Sequence, residues 1–300
     1  MSEAIDTNLP IRPPSLPARI IASSARIVSK LVQEPLGLAG FVILGLLCIV
    51  AIIAPWLAPY DPNIQVLSDA LQPPSAAHWA GTDEFGRDIL SRLIYGTRIT
   101  VHTVLSISLI VGPIGLLIGV VAGFFGGRTD ALLMRATDIV LSFPSLILAL
   151  AFAAALGAGL TTAIIAISLT AWPPIARLAR AEALVVRNAD YVAAARLYGA
   201  SPLRILLVYI APMCIPSVIV RLTLNMAGII LTAASLGFLG LGAQPPAPEW
   251  GAMISNGRKF MLDYWWVAVM PGLAILISSL AFNIAGDALR DILDPRHARS

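Results

Sequence analysis

The chain has 300 residues, 58% of them hydrophobic and 12% charged, with a formal net charge of +3 and a mean hydropathy of +0.84. Soluble domains carry about 25% charged residues, so this is the composition of a polytopic membrane protein, and the small net charge does not suggest a nucleic-acid partner. Cys48 and Cys214 lie inside apolar stretches, and His78, His102 and His297 are scattered, so neither a disulfide framework nor a metal site is indicated.

Residues 1–17 contain Pro10, Pro13, Pro14 and Pro17 and few large apolar groups, which predicts disorder. Glu3 and Asp6, with no short apolar core after them, argue against a cleaved signal peptide. From Ala18 to Gln33, Ile20, Ile21, Ile27, Val28, Leu31 and Val32 recur at helical spacing between Arg19, Arg26 and Lys30. That pattern predicts a helix lying on the membrane surface, or an amphipathic packing helix. The N-terminal unit is thus placed at 1–35.

A helix needs about 20 apolar residues to cross a bilayer, so gaps between charges count the crossings. Glu34 to Asp61 leaves 26 uncharged residues, with the first span at 36–57, and Arg98 to Arg128 leaves 29. Asp138 to Arg177 leaves 38, enough for a hairpin turning at Gly157-Ala158-Gly159. Arg221 to Glu249 leaves 27 and Asp263 to Asp287 leaves 23; the short gap from Arg204 to Arg221 reads as the entry to the fifth helix. Six crossings result, and an even number puts both termini on one side. That side holds Arg12, Arg19, Arg26, Lys30, Arg128, Arg135, Arg177, Arg180, Arg187, Arg196, Arg204, Arg290, Arg296 and Arg299. The other side holds only Arg87, Arg92, Arg98, Arg258 and Lys259, so the positive-inside bias predicts cytoplasmic termini.

The segment 58–98 is polar, carries GTDEFGRDILSRLIYGTR, and must fold over the mouth of the bundle rather than face lipid. The spacing of Asp83, Glu84, Arg87, Asp88 and Arg92 predicts helical salt bridges. Trp56, Trp250, Trp265 and Trp266 are expected to form an interfacial aromatic belt, and His102 to be interfacial. In the fifth helix, Gly228, Ala234, Gly237, Gly240 and Gly242 make a small-residue side suited to packing. Asp287 with Arg290, and Arg290 with Asp294, are spaced to pair at the end of the sixth helix. The membrane core is placed at 99–290 and a tail at 291–300.

One stretch inside this core carries charge and should lie in water: Tyr191 to Pro212, YVAAARLYGASPLRILLVYIAP. Ala193, Ala194 and Ala195 allow close approach to a helix, Gly199 can end it in the left-handed conformation, and the turn Ala200-Ser201-Pro202 stops its simple continuation. An ordinary helix with a glycine cap would read the same way on composition alone. The spacing resembles the cytoplasmic loop of ABC-importer permeases, Glu-Ala-Ala, three residues, Gly, nine residues, Ile-x-Leu-Pro. Ala194, Ala195, Gly199 and Pro212 fall in register, while Ala193 replaces Glu, Tyr209 replaces Ile and Ala211 replaces Leu. Three further strings resemble the C-type permeases of dipeptide and oligopeptide importers: Gly81 to Arg92, LGFLGLGAQPPAPEWG at 236–251, and GDALRDILDPR at 286–296. Ala233 stands where those relatives usually have Glu.

The resemblance covers about 35–296. It implies an all-α integral membrane permease of type I architecture in the bacterial inner membrane, with a cytoplasmic coupling loop at about 177–212 that docks into an ATPase subunit. It implies a second permease as heterodimer partner, two ATPase subunits and an extracytoplasmic substrate-binding protein. Lys30 and Lys259 follow Ser29 and Arg258, so no phosphate-cradling Gly-Lys-Ser/Thr loop exists, and ATP is expected to bind only to partners. No cofactor is expected in this chain. Arg221 and Asn225, polar in a membrane span, are candidates for the translocation path. They are too few for the alternative of a membrane-embedded enzyme. A secondary transporter is the other alternative class, and nickel or glutathione importers share the architecture with peptide importers.

Overall fold

The computed structural model describes residues 34–293; their regular structure is helical, with turns and irregular backbone over most of 58–88 and 239–249 and an isolated bridge between Thr82 and Asp88. The expectations for 1–33 and for the pairing of Arg290 with Asp294 fall outside the described residues. Helix α1 spans Pro35–Leu57, and α2 spans Ile89–Phe125. Then come α3 (Gly127–Leu141), α4 (Ser145–Leu156), α5 (Leu160–Ala171), α6 (Pro173–Val186) and the short α7 (Asp190–Leu197). Helix α8 runs from Pro202 to Phe238, α9 from Trp250 to Gly257, and α10 from Trp266 to Leu293.

Five helical segments are long and apolar enough to cross a membrane: α1, α2, α5 with α6, α8, and α10. A sixth crossing arises if α3 and α4, bent by 88° at Ser142-Phe143-Pro144, are one broken span. Helix α4 alone, at 12 residues, is about 18 Å long, well short of a hydrocarbon layer of about 30 Å. The hairpin turn falls at Gly157-Ala158-Gly159 as expected, with Gly157 at φ 90°. Arg204 to Arg221 is the first part of α8, again as expected. Its helix passes through a π-helical turn at Ile205–Ile210 immediately before Pro212. Proline cannot donate to the carbonyl one turn back and its ring crowds that carbonyl, and the wider turn relieves both problems.

The tightest packing is between α2 and α6. Gly115, Gly119 and Gly123 recur every fourth residue and form one stripe along α2. A methyl group on any of them would run into Ile175, the Ala176 carbonyl or Ala183 respectively. The facing residues Ile175, Ala176, Ala179 and Ala183 are fully buried. Between membrane helices there is no hydrophobic gain over lipid, so backbone approach of this kind is what holds them. The small side expected on α8 is used differently. Gly237 makes room for the Glu249 carboxylate, whereas Gly228 and Gly240 face open space.

Helix α2 starts at Ile89, inside the segment read as polar, because Asp88 caps it: its Oδ2 accepts from the Ser91 N–H and hydroxyl, both at 2.7 Å. The preceding charges do not lie on a helix, contrary to expectation. Asp83 sits in a turn, where its Oδ1 accepts from the N–H groups of Phe85 (2.9 Å) and Arg87 (3.0 Å). The Asp83–Arg87 pair does form, Nε to Oδ2 at 2.7 Å, and Arg92 Nε lies 3.7 Å from the same oxygen. Arg92 also donates to the Pro62 carbonyl at 2.8 Å, and His78 Nδ1 lies 3.0 Å from Asp88 Oδ1. A carboxylate two residues before an N–H prefers to bond it locally, which favours the turn over the helix.

Two of the four tryptophans assigned to an aromatic belt are structural instead. Trp250 and Trp266 are buried, and their indole N–H groups donate to the carbonyls of Leu93 (3.2 Å) and Thr82 (3.3 Å). Trp56 and Trp265 are exposed, and so is Trp79, which the sequence reading did not single out. No ion pair forms between Asp287 and Arg290 among the described residues.

Candidate functional site

The candidate site is the end of the bundle that carries α7. Helix α6 has one face of alanines buried on the α2 glycine stripe, and it therefore reaches this end in a fixed position. Its last residues turn at Arg187-Asn188-Ala189, and α7 begins at Asp190. Asp190 in the first turn and Arg196 in the last complement the helix dipole. Val192 (0% exposed) and Ala195 (7%) point into the protein, so α7 lies on the bundle by one narrow side.

The end of α7 is a Schellman closure. The Ala200 N–H bonds the Ala195 carbonyl and the Gly199 N–H bonds the Arg196 carbonyl, both at 3.0 Å. Gly199 has φ +77°, as the sequence reading required, and this conformation strains any residue with a side chain. Ser201 then caps α8, its hydroxyl accepting from the Arg204 N–H at 3.4 Å, and Pro202 is the first helical residue. Pro202 thus starts the next helix as well as ending the turn.

The outer face of this unit combines small residues with large apolar ones. Tyr191, Ala193, Ala194, Gly199, Ser201 and Pro202 are exposed, and Ala200 is half-buried. Beside them Leu197 is 89% and Tyr198 92% exposed, and Leu203 is exposed as well. Large apolar side chains so fully solvated on a two-turn helix form a patch of the kind that marks an interaction surface. The sequence reading missed Leu197, Tyr198 and Leu203. The signal was two adjacent bulky residues immediately before the capping glycine. It also placed Ala195 on the docking face with Ala194, whereas Ala195 is buried. A bulky residue at 195 would disturb the seat of α7, and one at 194 would alter its outer face.

Several polar contacts fix the surroundings of α7. Arg180 holds Asp130 of α3 side-on through one guanidinium edge, Nη2 donating to Oδ2 at 2.6 Å and Nε to Oδ1. Arg177 holds Asp138 at 2.6 Å, but both side chains are more than half exposed. Arg187 donates to the Gly123 carbonyl at 2.7 Å, and the Arg196 guanidinium lies 6.0 Å from the centre of the Phe124 ring.

The translocation candidates are separate from this unit. Arg221 and Asn225 lie one turn apart on α8, Arg221 exposed and Asn225 half-buried, and Arg221 makes no ion pair among the described residues. In the single chain Arg221 lies on an exposed face of α8. Pro212 is also exposed, within the same helix just past its π-helical turn. Nearer the other end, a small internal cavity of about 20 Å³ is lined by Thr100, Thr103, Ile230, Ala233 and Glu249. Burial pushes the Glu249 carboxyl up from its usual range, while the N–H groups of Gly251 and Ala252, which it accepts, pull it down.

The comparisons agree with this architecture. Residues 115–299 match the model of the binding-protein-dependent transport system inner membrane component, and residues 24–74 match the N-terminal TM domain of oligopeptide transport permease C. The chain is 47% identical over 274 residues to the probable D,D-dipeptide transport system permease protein DdpC of Escherichia coli, covering 91% of this chain and 92% of that one. It is 47% identical to the di/tripeptide transport system permease protein DppC of Pseudomonas aeruginosa, over 86% of this chain and 88% of that one. It is also 43% identical to the nickel transport system permease protein NikC of E. coli, over 85% and 92%. In fold it resembles a chain of the MetNI methionine ABC transporter, with a TM-score of 0.56 and 20% identity over 69% of this chain and 98% of that one. A multi-pass inner-membrane protein with these matches belongs to the permease components of ABC importers, in the C-type branch of the dipeptide, oligopeptide and nickel family.

Proposed function

We propose that this chain forms half of a translocation path for di- or oligopeptides, and that α7 with its Gly199 turn is the docking surface for a cytoplasmic ATPase subunit. The observation that carries this reading is the exposed Leu197–Tyr198 pair held beside a glycine at φ +77°. The arginine asymmetry supports cytoplasmic placement of this end and of both termini. A second permease completes the path, two ATPase subunits hydrolyse ATP, and an extracytoplasmic binding protein delivers substrate. This chain contributes no chemistry of its own and holds no cofactor in this reading. Relatives named for D,D-dipeptides and di/tripeptides favour peptides, and the relative named for nickel keeps a metal cargo as the second reading.

The test is co-purification of the ATPase subunits with this chain, followed by identification of the ligand carried by its binding protein. A peptide there supports the reading, nickel or glutathione replaces the substrate, and a chain that transports without ATPase subunits overturns it. Arg221, about 13 Å along the helix from Pro212, is proposed to face the path at the boundary with the second permease and attract a peptide carboxylate. Arg221→Gln is expected to slow uptake with assembly intact, and unchanged transport kinetics would remove it from the path.

A further inference from the structure

Helix α7 is strapped at both of its ends to one place, the last turn of α2. Before it, Arg187 donates Nη1 to the Gly123 carbonyl at 2.7 Å. In its last turn, Arg196 lies 6.0 Å from the centre of the Phe124 ring, the very next residue. Gly123 and Phe124 fall in the final turn of α2, whose carbonyls lack helical partners because the chain leaves the helix at Gly126, φ 65°. A guanidinium there satisfies a free carbonyl and meets the negative end of the helix dipole. Seven residues before Arg187 on the same chain, Arg180 grips Asp130 of α3 with two N–H groups of one guanidinium edge. Bidentate pairing fixes direction as well as distance, unlike the exposed single contact of Arg177 with Asp138. The glycine stripe of α2 removes the remaining slack, since backbone touches backbone along α6.

We propose that Arg180, Arg187 and Arg196 are positioning residues that make α7, the end of α2 and α3 one rigid body, so that movement of α7 on its partner is passed to the bundle through these contacts. The idea rests on the reading of α7 as the ATPase-docking helix. Arg180 and Arg187 lie outside α7 and outside the docking patch, which is formed by Tyr191, Ala194, Leu197 and Tyr198. Their role is therefore separable from affinity for the partner.

The complete importer, reconstituted in liposomes, is assayed for recovered ATPase subunits and for ATPase activity with and without its binding protein. Arg187→Gln is expected to recover ATPase subunits in full but to lose the stimulation by binding protein, by roughly tenfold. Arg187→Lys, which can still reach a carbonyl, is expected to keep most of it. Arg180→Asp and Asp130→Arg alone are expected to lose stimulation, and the double swap to regain it, as a direct pair requires. If a charge-reversed single variant fails to insert, the Arg187→Gln and Arg187→Lys pair reads the same quantity with the α3 contact intact. Undiminished stimulation in Arg187→Gln, no recovery in the double swap, or stimulation falling only in step with lost ATPase subunits would each overturn the proposal. Absence of ATPase subunits from the unmutated complex would instead refute the docking reading.

Discussion

At the Asp88 end of α2, Asp83, Arg87, Asp88 and Arg92 are all buried, and every one is tied to backbone or to a neighbouring charge within a single turn and helix cap. At the Gly126 end, about 55 Å away along the helix, arginines and aspartates also pair, but there the surface carries Leu197, Tyr198 and Leu203 exposed to solvent. At the first end the charges close on one another, while Leu67 and Trp79 of the same segment stay exposed. The second leaves apolar area uncovered and keeps its charges for holding α7 in place. Charge buried and satisfied within one chain is architecture, whereas apolar area left bare on a firmly seated helix is a surface for another chain.

The largest effect expected from breaking this contrast is at the closed end. Asp83→Ala removes the carboxylate that Arg87 and Arg92 share and leaves both guanidinium groups buried without it. Removing one member of a buried ionic group costs about 3–5 kcal/mol, so thermal unfolding in detergent should fall sharply and little folded protein should be recovered. Recovery and melting equal to those of the unmodified chain would show that the segment is held by something else.

Gly199→Val acts at the open end and should cost about 1–3 kcal/mol of local strain at the positive-φ site. Membrane insertion should persist, because spans and arginine asymmetry are untouched, while ATPase subunits are recovered in smaller amount and uptake falls. Normal recovery together with normal uptake would show that coupling does not run through this turn.

Glu249 supplies a pH test. Its folded-state pKa is raised by burial, with the Gly251 and Ala252 N–H groups opposing. A raised folded value means that the carboxyl contributes most to stability below its unfolded pKa of about 4.3 and loses that contribution as pH rises through the folded value. Denaturation midpoints measured over about pH 4 to 8 should decline with rising pH, and Glu249→Gln should flatten that decline. An identical slope in the variant would assign the pH dependence to another group.

Tyr198→Ser is the smallest expected perturbation of the fold, within about 0.5 kcal/mol, since the side chain is almost fully solvated. It sharpens the comparison, because retention of ATPase subunits should drop while melting stays put. A loss of melting temperature in parallel would make Tyr198 a packing residue of this chain.

Composition and charge spacing determined by themselves that this is a membrane protein with about six apolar segments, a hairpin at Gly157-Ala158-Gly159, and a break at Gly199-Ala200-Ser201-Pro202. These features are local: a long uncharged run must be buried in lipid, and a positive φ or a missing N–H is a property of one residue. Tertiary structure decided what depends on which surfaces meet. It turned Asp83, Arg87 and Arg92 from a helical ladder into a turn-centred cluster, and it buried Trp250 and Trp266 against carbonyls more than 150 residues away in sequence. It put Ala195 inside and Ala194 outside, a distinction set by the 100° step between consecutive helical residues and by where α7 rests. The stripe of Gly115, Gly119 and Gly123 was present in the sequence as a four-residue repeat, but only the approach of α6 gave it a role. Arg221 shows the same division. Its charge in an apolar run marked it out from sequence, while the face of α8 on which it lies was decided by how that helix packs against α6 and α10.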